Sequence, residues 1–321
     1  MTNKKKLSSN DLEKNIADLH YAHYEDWVKN FALNLNQIWE DSSAKKFANS
    51  KFHTDSAIVI GRGPSLLKND HLNLLKNSNF KGSIICPDGS LKTVLESGVT
   101  PDKFPHFYVV SIEPYERIKV LFQHKIIKKY GKKIQGIFPT IASPAVVNSA
   151  RKNGIRINWL HLLFDYKPGK PSFNQISALM VRAKKHTSGL PAIQTGGNAG
   201  TSSWFFAWKI LKCKRVALIG MNQGWDEDDS LEKILSGSPE LAHKIKDSKK
   251  LEKMLVKIFN PEFQNYCLLD PIFSFYRNAL LEFISRSPKS VSTINSTEGG
   301  SLFGNRIKCM KFADFLTKYP K

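Results

Sequence analysis

No stretch of this 321-residue chain approaches the roughly 18 apolar residues that a membrane span needs. The start, Met1 to Asn10, is polar and basic and lacks the apolar core of a secretory signal, so a cytoplasmic location is expected. Cysteine is scarce. Cys86, Cys213, Cys267 and Cys309 stand far apart with no C-x-x-C pair, which argues against a disulfide framework and gives no zinc site. The sequence contains no internal repeat and no low-complexity segment. Acidic side chains are few, 28 against 48 basic ones, for a formal charge of +20. Such an excess attracts polyanions, so nucleic acid, anionic membrane surfaces and phosphorylated substrates all come into view. The lysines, however, are scattered, as at Lys119, Lys125, Lys128 and Lys129, without the aromatic platform of a single-strand binder. A solvated basic face accounts for them.

What the chain does have is an alternation of strand-like and helix-like segments. Apolar residues at helical spacing, Leu12, Ile16, Leu19, Trp27, Phe31, Leu35 and Trp39, predict an N-terminal helical extension over residues 1–52, an appendage to a core spanning 53–321. The core opens with Ala57-Ile58-Val59-Ile60, a run of strand length, followed at once by Gly61-Arg62-Gly63-Pro64-Ser65. A strand leading into a glycine turn and a helix is the first unit of a nucleotide-binding α/β fold. Leu66 and Leu67 occupy the place of the third glycine of a dinucleotide fingerprint, and no P-loop lysine follows. Further strands are predicted at 83–86, 107–112, 134–138, 155–163, 215–219 and 291–294, with helices between them. Residues 165–186 read as a loop leading to a short helix, a lid over the site, and residues 226–260 as a charged helical insertion.

The stretch from Ile193 to Trp225 carries the strongest signal. Gly196, Gly197 and Gly200 precede Thr201, Ser202 and Ser203 at the start of an apolar helix, with Asn198 among them. Free N–H groups and the positive end of the helix dipole at such a start attract a phosphate or carboxylate. The competing reading is a helix cap and a loop that simply needs glycine. Asp88 and Glu113 each sit just past a strand, where they suit a ribose, a metal or a substrate hydroxyl, or else serve as a cap and a turn residue. His161 is the best-placed imidazole for proton transfer, against the plainer reading of a core histidine. Asp226, Glu227, Asp228 and Asp229 form an acidic cluster that suits Mg²⁺ or a solvated loop.

Five segments in order resemble one family: Gly61-Arg62-Gly63-Pro64-Ser65-Leu66; Pro87-Asp88-Gly89-Ser90 with Gly98-Val99-Thr100-Pro101-Asp102; Val110 to Pro114; Gly196 to Thr201 with Ile219-Gly220-Met221-Asn222; and Ser296-Thr297-Glu298-Gly299-Gly300. Together they resemble the MptE-like domain, shared by archaeal 6-hydroxymethylpterin diphosphokinases and motility-associated-factor (Maf) glycosyltransferases. The resemblance implies an α/β fold, with a Rossmann-like, mostly parallel sheet, helices on both faces and a sialyltransferase-like relationship. It implies a transferase, with a nucleotide-activated donor such as a CMP-nonulosonic acid and no required cofactor. The donor phosphate would rest on Gly61, Gly63 and Ser65 and on Gly197, Asn198, Gly200, Thr201 and Ser202. Asp88, Glu113 and Asn222 would orient ribose or sugar hydroxyls, and His161 or Glu298 would be the base; the acceptor stays open. Under a diphosphokinase alternative the donor is ATP, and Asp88, Glu113 and Asp226 hold Mg²⁺. A third alternative is a non-enzymatic binder of nucleic acid through the basic surface.

Overall fold

A computed structural model of the chain describes residues 24–165, 169, 171–237, 251–304 and 306–320. Its centre is a ten-stranded sheet. In chain order the strands are β1 (Ser42–Ser43), β2 (Ser56–Ile60), β3 (Ser83–Pro87), β4 (Phe107–Val110), β5 (Gln135–Pro139), β6 (Arg156–Leu162), β7 (Ala192–Ile193), β8 (Arg215–Ile219), β9 (Trp225–Asp226), β10 (Val256–Asn260), β11 (Asn265–Leu269), β12 (Ser292–Asn295) and β13 (Ile307–Cys309). The spatial order of the large sheet is β1-β6-β5-β4-β3-β2-β8-β12-β13, with β7 also on β6. Every pairing in it is parallel. Strands β2, β3 and β4 are buried along their whole length, as expected of parallel strands covered on both faces. This is why they read as unbroken apolar runs rather than as alternation.

Helices join these strands. Asp88–Glu96 packs against β3 and β4, and Ala199–Phe205 lies over β2, β3 and β4. The second helix continues through a π turn, Phe206–Ile210, which seats Phe206 between the rings of Phe47 and Tyr108. The fold is α/β, in agreement with the sequence reading.

Two features differ from that reading. The N-terminal segment is not an appendage. Its helix Tyr24–Glu40 buries Trp27, Phe31 and Ile38, β1 adds a strand to the main sheet, and Phe47 is fully buried in the common core. Positions 1–23 of the expected extension lie outside the described residues. The expected helical insertion includes the short helix Leu231–Gly237, but β10 pairs with β11, and β11 with β9, in a separate antiparallel sheet. Residues 238–250 of that insertion lie outside the described residues. The helix within 165–186 runs Phe173–Arg182, its start capped by the Ser172 hydroxyl, which accepts from Gln175 N.

Candidate functional site

From β2 the chain steps one strand at a time to β6, and β8 then lies on the other side of β2. The β2/β8 junction is therefore a point where strand order reverses, and ligands of open α/β sheets bind beyond the carboxyl ends of strands at such points. The loops that follow the two strands are in contact. Gly61 N donates to Ile219 O at 2.8 Å and Gly63 N to Gly220 O at 2.7 Å. A Cβ on Gly61 would lie 2.2 Å from Gly220 O, and one on Gly63 2.0 Å from Asn222 Oδ1. Both glycines thus admit the neighbouring loop rather than a phosphate, and their N–H groups are already bonded. Ser65 is engaged as well, its hydroxyl donating to Asn222 Oδ1 at 2.8 Å. Asn222 is buried beneath the glycine turn and fixes its shape.

With its flanking N–H groups turned inward, the loop carries Arg62 outward. A Cβ on Gly89 would meet the Arg62 side chain at 2.6 Å, so the guanidinium lies over the start of the helix Asp88–Glu96. Arg62 is a candidate for the site that the motif reading passed over. The signal was there, a cation between two glycines whose backbone is committed.

The second glycine corner opens on the same edge. Asn198 caps the helix Ala199–Phe205, accepting from Thr201 N at 2.8 Å. Its amide also donates to Thr201 Oγ1, while Ser202 Oγ donates to Asn198 O. These side chains serve the cap itself. Ala199 and Gly200 supply the remaining first-turn N–H groups, where the helix dipole is positive. A Cβ on Gly200 would come within 2.4 Å of the Met221 sulfur, and one on Gly61 within 3.0 Å of the same atom. The two corners meet across one side chain. Gly197 takes φ +84 against the Tyr276 ring, which a Cβ would approach to 2.4 Å.

Beside Asn222, Gln223 sits at φ 43, is buried, and has neither amide atom hydrogen-bonded. An unpaired buried amide costs about 1–3 kcal/mol per polar group.

Asp88 Oδ2 accepts from Ser111 Oγ at 2.6 Å and Oδ1 from Gly89 N at 2.6 Å. Burial raises its pKa, and these bonds and the Arg62 charge pull the other way. Asp88 therefore ties the end of β3 to the end of β4. Glu113 is half-buried just past β4.

Of the remaining expected site residues, His161 lies elsewhere, whereas Glu298 stands in the turn that packs on the Asn222 loop, where Met221 N donates to Thr297 Oγ1 and Ser301 N to Asn222 O. β6, which carries His161, stands four strands from β2, about 19 Å at the usual spacing of about 4.8 Å per strand. There His161 lines a cavity of about 470 Å³ with Leu179 and Arg182. Its Nδ1 pairs with Thr140 Oγ1 at 3.2 Å, its Nε2 is buried without a partner, and burial followed by the Arg182 charge lowers its pKa to about 4. Glu298 Oε1 accepts from Phe312 N at 2.9 Å and from His71 Nε2 at 3.3 Å, which commits that oxygen to capping the last helix. Asp88, Glu113 and Asp226 do not gather. Among the described residues, the carboxylates close enough to share an ion are Asp226, Asp228 and Asp229, within 4.8 Å of one another. Two of these already have cations, Asp226 with Lys68 and Asp229 with Lys233.

A family model described as "6-hydroxymethylpterin diphosphokinase MptE-like" matches residues 29–228, more than half of the chain. The chain belongs to the MptE-like family. The matched segment of this MptE-like protein takes in both glycine corners and begins inside the helix Tyr24–Glu40, which agrees with the packing of that helix into the core. Among solved structures the fold is similar to that of a MAf glycosyltransferase from Magnetospirillum magneticum AMB-1. The TM-score is 0.54 at 13% identity, over 88% of this chain and 41% of that one. The MptE-like chain thus spans less than half the length of that neighbour. No curated protein matches. Among the described residues no helix is long and apolar enough to cross a membrane.

Proposed function

We propose that the protein is a transferase that binds a nucleotide-activated sugar, of the CMP-nonulosonic acid kind, at the β2/β8 junction and passes the sugar to an acceptor hydroxyl. The observation that carries this reading is the meeting of the Gly61 and Gly200 corners on Met221, beside an unpaired Gln223 amide. Arg62 and the N–H groups of Ala199 and Gly200 meet the donor phosphate and stabilise the charge that grows on it as the sugar departs. Gln223 pairs with the base or the ribose. Asp88 is a positioning residue here, acting through Ser111 and the Gly89 turn. The solved neighbour, a glycosyltransferase, supports the same chemistry.

Titration calorimetry with CMP, CDP, UDP and ATP tests it. Binding of cytidine nucleotides is expected, weakened about tenfold or more by Gln223→Ala, in line with loss of hydrogen bonds to a buried group. Preference for ATP with no affinity for CMP overturns the reading. A second reading, diphosphate transfer from Mg·ATP to a hydroxymethylpterin, draws on the family description and on the Asp226, Asp228 and Asp229 trio, which Lys68 ties to the helix after the Gly61 turn. Oxygen ligands of this kind suit Mg²⁺. Release of AMP with a pterin acceptor, abolished by a chelator, would establish it.

A further inference from the structure

The edge of the sheet opposite the glycine corners carries a cavity of about 590 Å³. Gln135 and Arg156, the first residues of β5 and β6, lie on one side of it, and Lys45, Lys46 and Lys51, from the turns after β1, on another. No acidic residue lines it. Lys45 donates to Ser188 O across the cavity. Lys46 is half-buried with its ammonium 5.0 Å from the Phe47 ring centre. Burial, then the charges of Arg156 and Lys51, lower its pKa. Among the described residues, none of Lys46, Lys51 and Arg156 forms an ion pair with a carboxylate. The contrast with Arg151 is direct, since Asp41 takes both ends of that guanidinium at 2.9 and 2.8 Å. Like charges crowded in a concave, partly desolvated space repel, and an anion removes that cost.

We propose that this cavity is a second binding site, separate from the nucleotide site, for a compact oligophosphate. Its volume falls in the range of about 300–1,000 Å³ usual for small-molecule sites and exceeds what one phosphate fills. Arg156 offers a planar fork for two phosphoryl oxygens, and the lysines act as point charges around it. Ser188 and Gln135 also line the cavity. The charges converge on a bounded space instead of forming the track that a nucleic acid strand follows.

The probe is inorganic tripolyphosphate, titrated at low ionic strength into the full chain and into two double variants. Lys51 and Arg156 are exposed, so K51Q/R156Q leaves the core untouched. K125Q/K128Q removes the same charge from exposed positions elsewhere. The expected result is saturable binding, weakened about tenfold by K51Q/R156Q, since loss of phosphate-pairing cations is worth at least this much. K125Q/K128Q should bind as the natural protein does, and K46M should weaken binding with an unchanged melting temperature. Absence of tripolyphosphate binding overturns the proposal, as does an equal loss in K125Q/K128Q, which would reduce the effect to net charge. It also fails if an oligonucleotide loses affinity in K51Q/R156Q while tripolyphosphate does not.

Discussion

A methyl group on Gly63 would collide with two groups that have nowhere to go, Asn222 Oδ1 at 2.0 Å and Gly220 O at 2.7 Å. Gly63→Ala is therefore expected to destabilise the protein by about 1–3 kcal/mol, the usual cost of overpacking, read as a lower urea midpoint. Gly200→Ala is a different case. Its Cβ would meet the Met221 thioether, a flexible neighbour, and alanine gains about 1 kcal/mol over glycine inside a helix. A near-neutral change in midpoint is expected there, with nucleotide affinity lowered because the corner is partly filled. At His161 the pH dependence has a definite sign. Its folded pKa of about 4 lies below the ordinary 6.5, so the unfolded chain binds the proton more readily. The neutral buried ring is favoured above pH 6.5, and stability is lost as the pH falls from there towards 4. By pH 4.5 that loss is about 2 to 3 kcal/mol. Urea midpoints at pH 7.5 and 4.5 should show a smaller difference for His161→Asn than for the natural protein.

At the scale of elements, the last helix shows how a loop residue can look catalytic and serve as a cap. Lys311 stands at the helix N-cap and offers no side-chain bond, so the carboxylate of Glu298 reaches from the Ser296–Gly300 turn to take Phe312 N. Glu298→Ala should cost about 1 kcal/mol, the usual value of a lost cap, seen in the urea midpoint. A fall in turnover with no loss of stability would instead restore Glu298 to the active centre. The same distinction marks what the sequence makes legible. Strands β2, β3, β4 and β8 announce themselves because burial on both faces demands unbroken apolar runs. The two-residue strands β1 and β7 do not, since their pairing is imposed by β6 and not by their own pattern. β10, Val-Lys-Ile-Phe-Asn, hides in a lysine-rich context because most of it is exposed and only its partner β11 defines it. The glycines at 61, 63 and 200 are equally plain in the sequence. That the first two admit a neighbouring loop, while Gln223 is left with an unpaired amide, depends on where β8 docks. No local pattern encodes that.

At the scale of the whole molecule, the sheet sets the two proposed anion sites on opposite edges. The carboxyl-terminal edge carries Arg62 and a helix start between committed loops, and the amino-terminal edge carries lysines without carboxylates. The N-terminal segment joins these halves. Phe47 follows β1, touches the Tyr108 and Phe206 rings at 5.3 and 5.9 Å, and comes directly after Lys45 and Lys46, which line the basic cavity. Tyr108 belongs to β4 and Phe206 to the helix that starts at the second glycine corner, so one ring braces both edges. If the segment were an appendage, removing that ring would cost little, since an exposed helix carries its own modest stability. The packing requires a larger figure. Phe47→Ala should destabilise the protein by about 3–5 kcal/mol, the range for emptying a buried aromatic site, and it should lower affinity for both CMP and tripolyphosphate. Urea unfolding of the variant checks the first expectation and calorimetry the second. A cost below about 1 kcal/mol, the level of a surface substitution, would show that the core closes without this segment and that the two edges are independent.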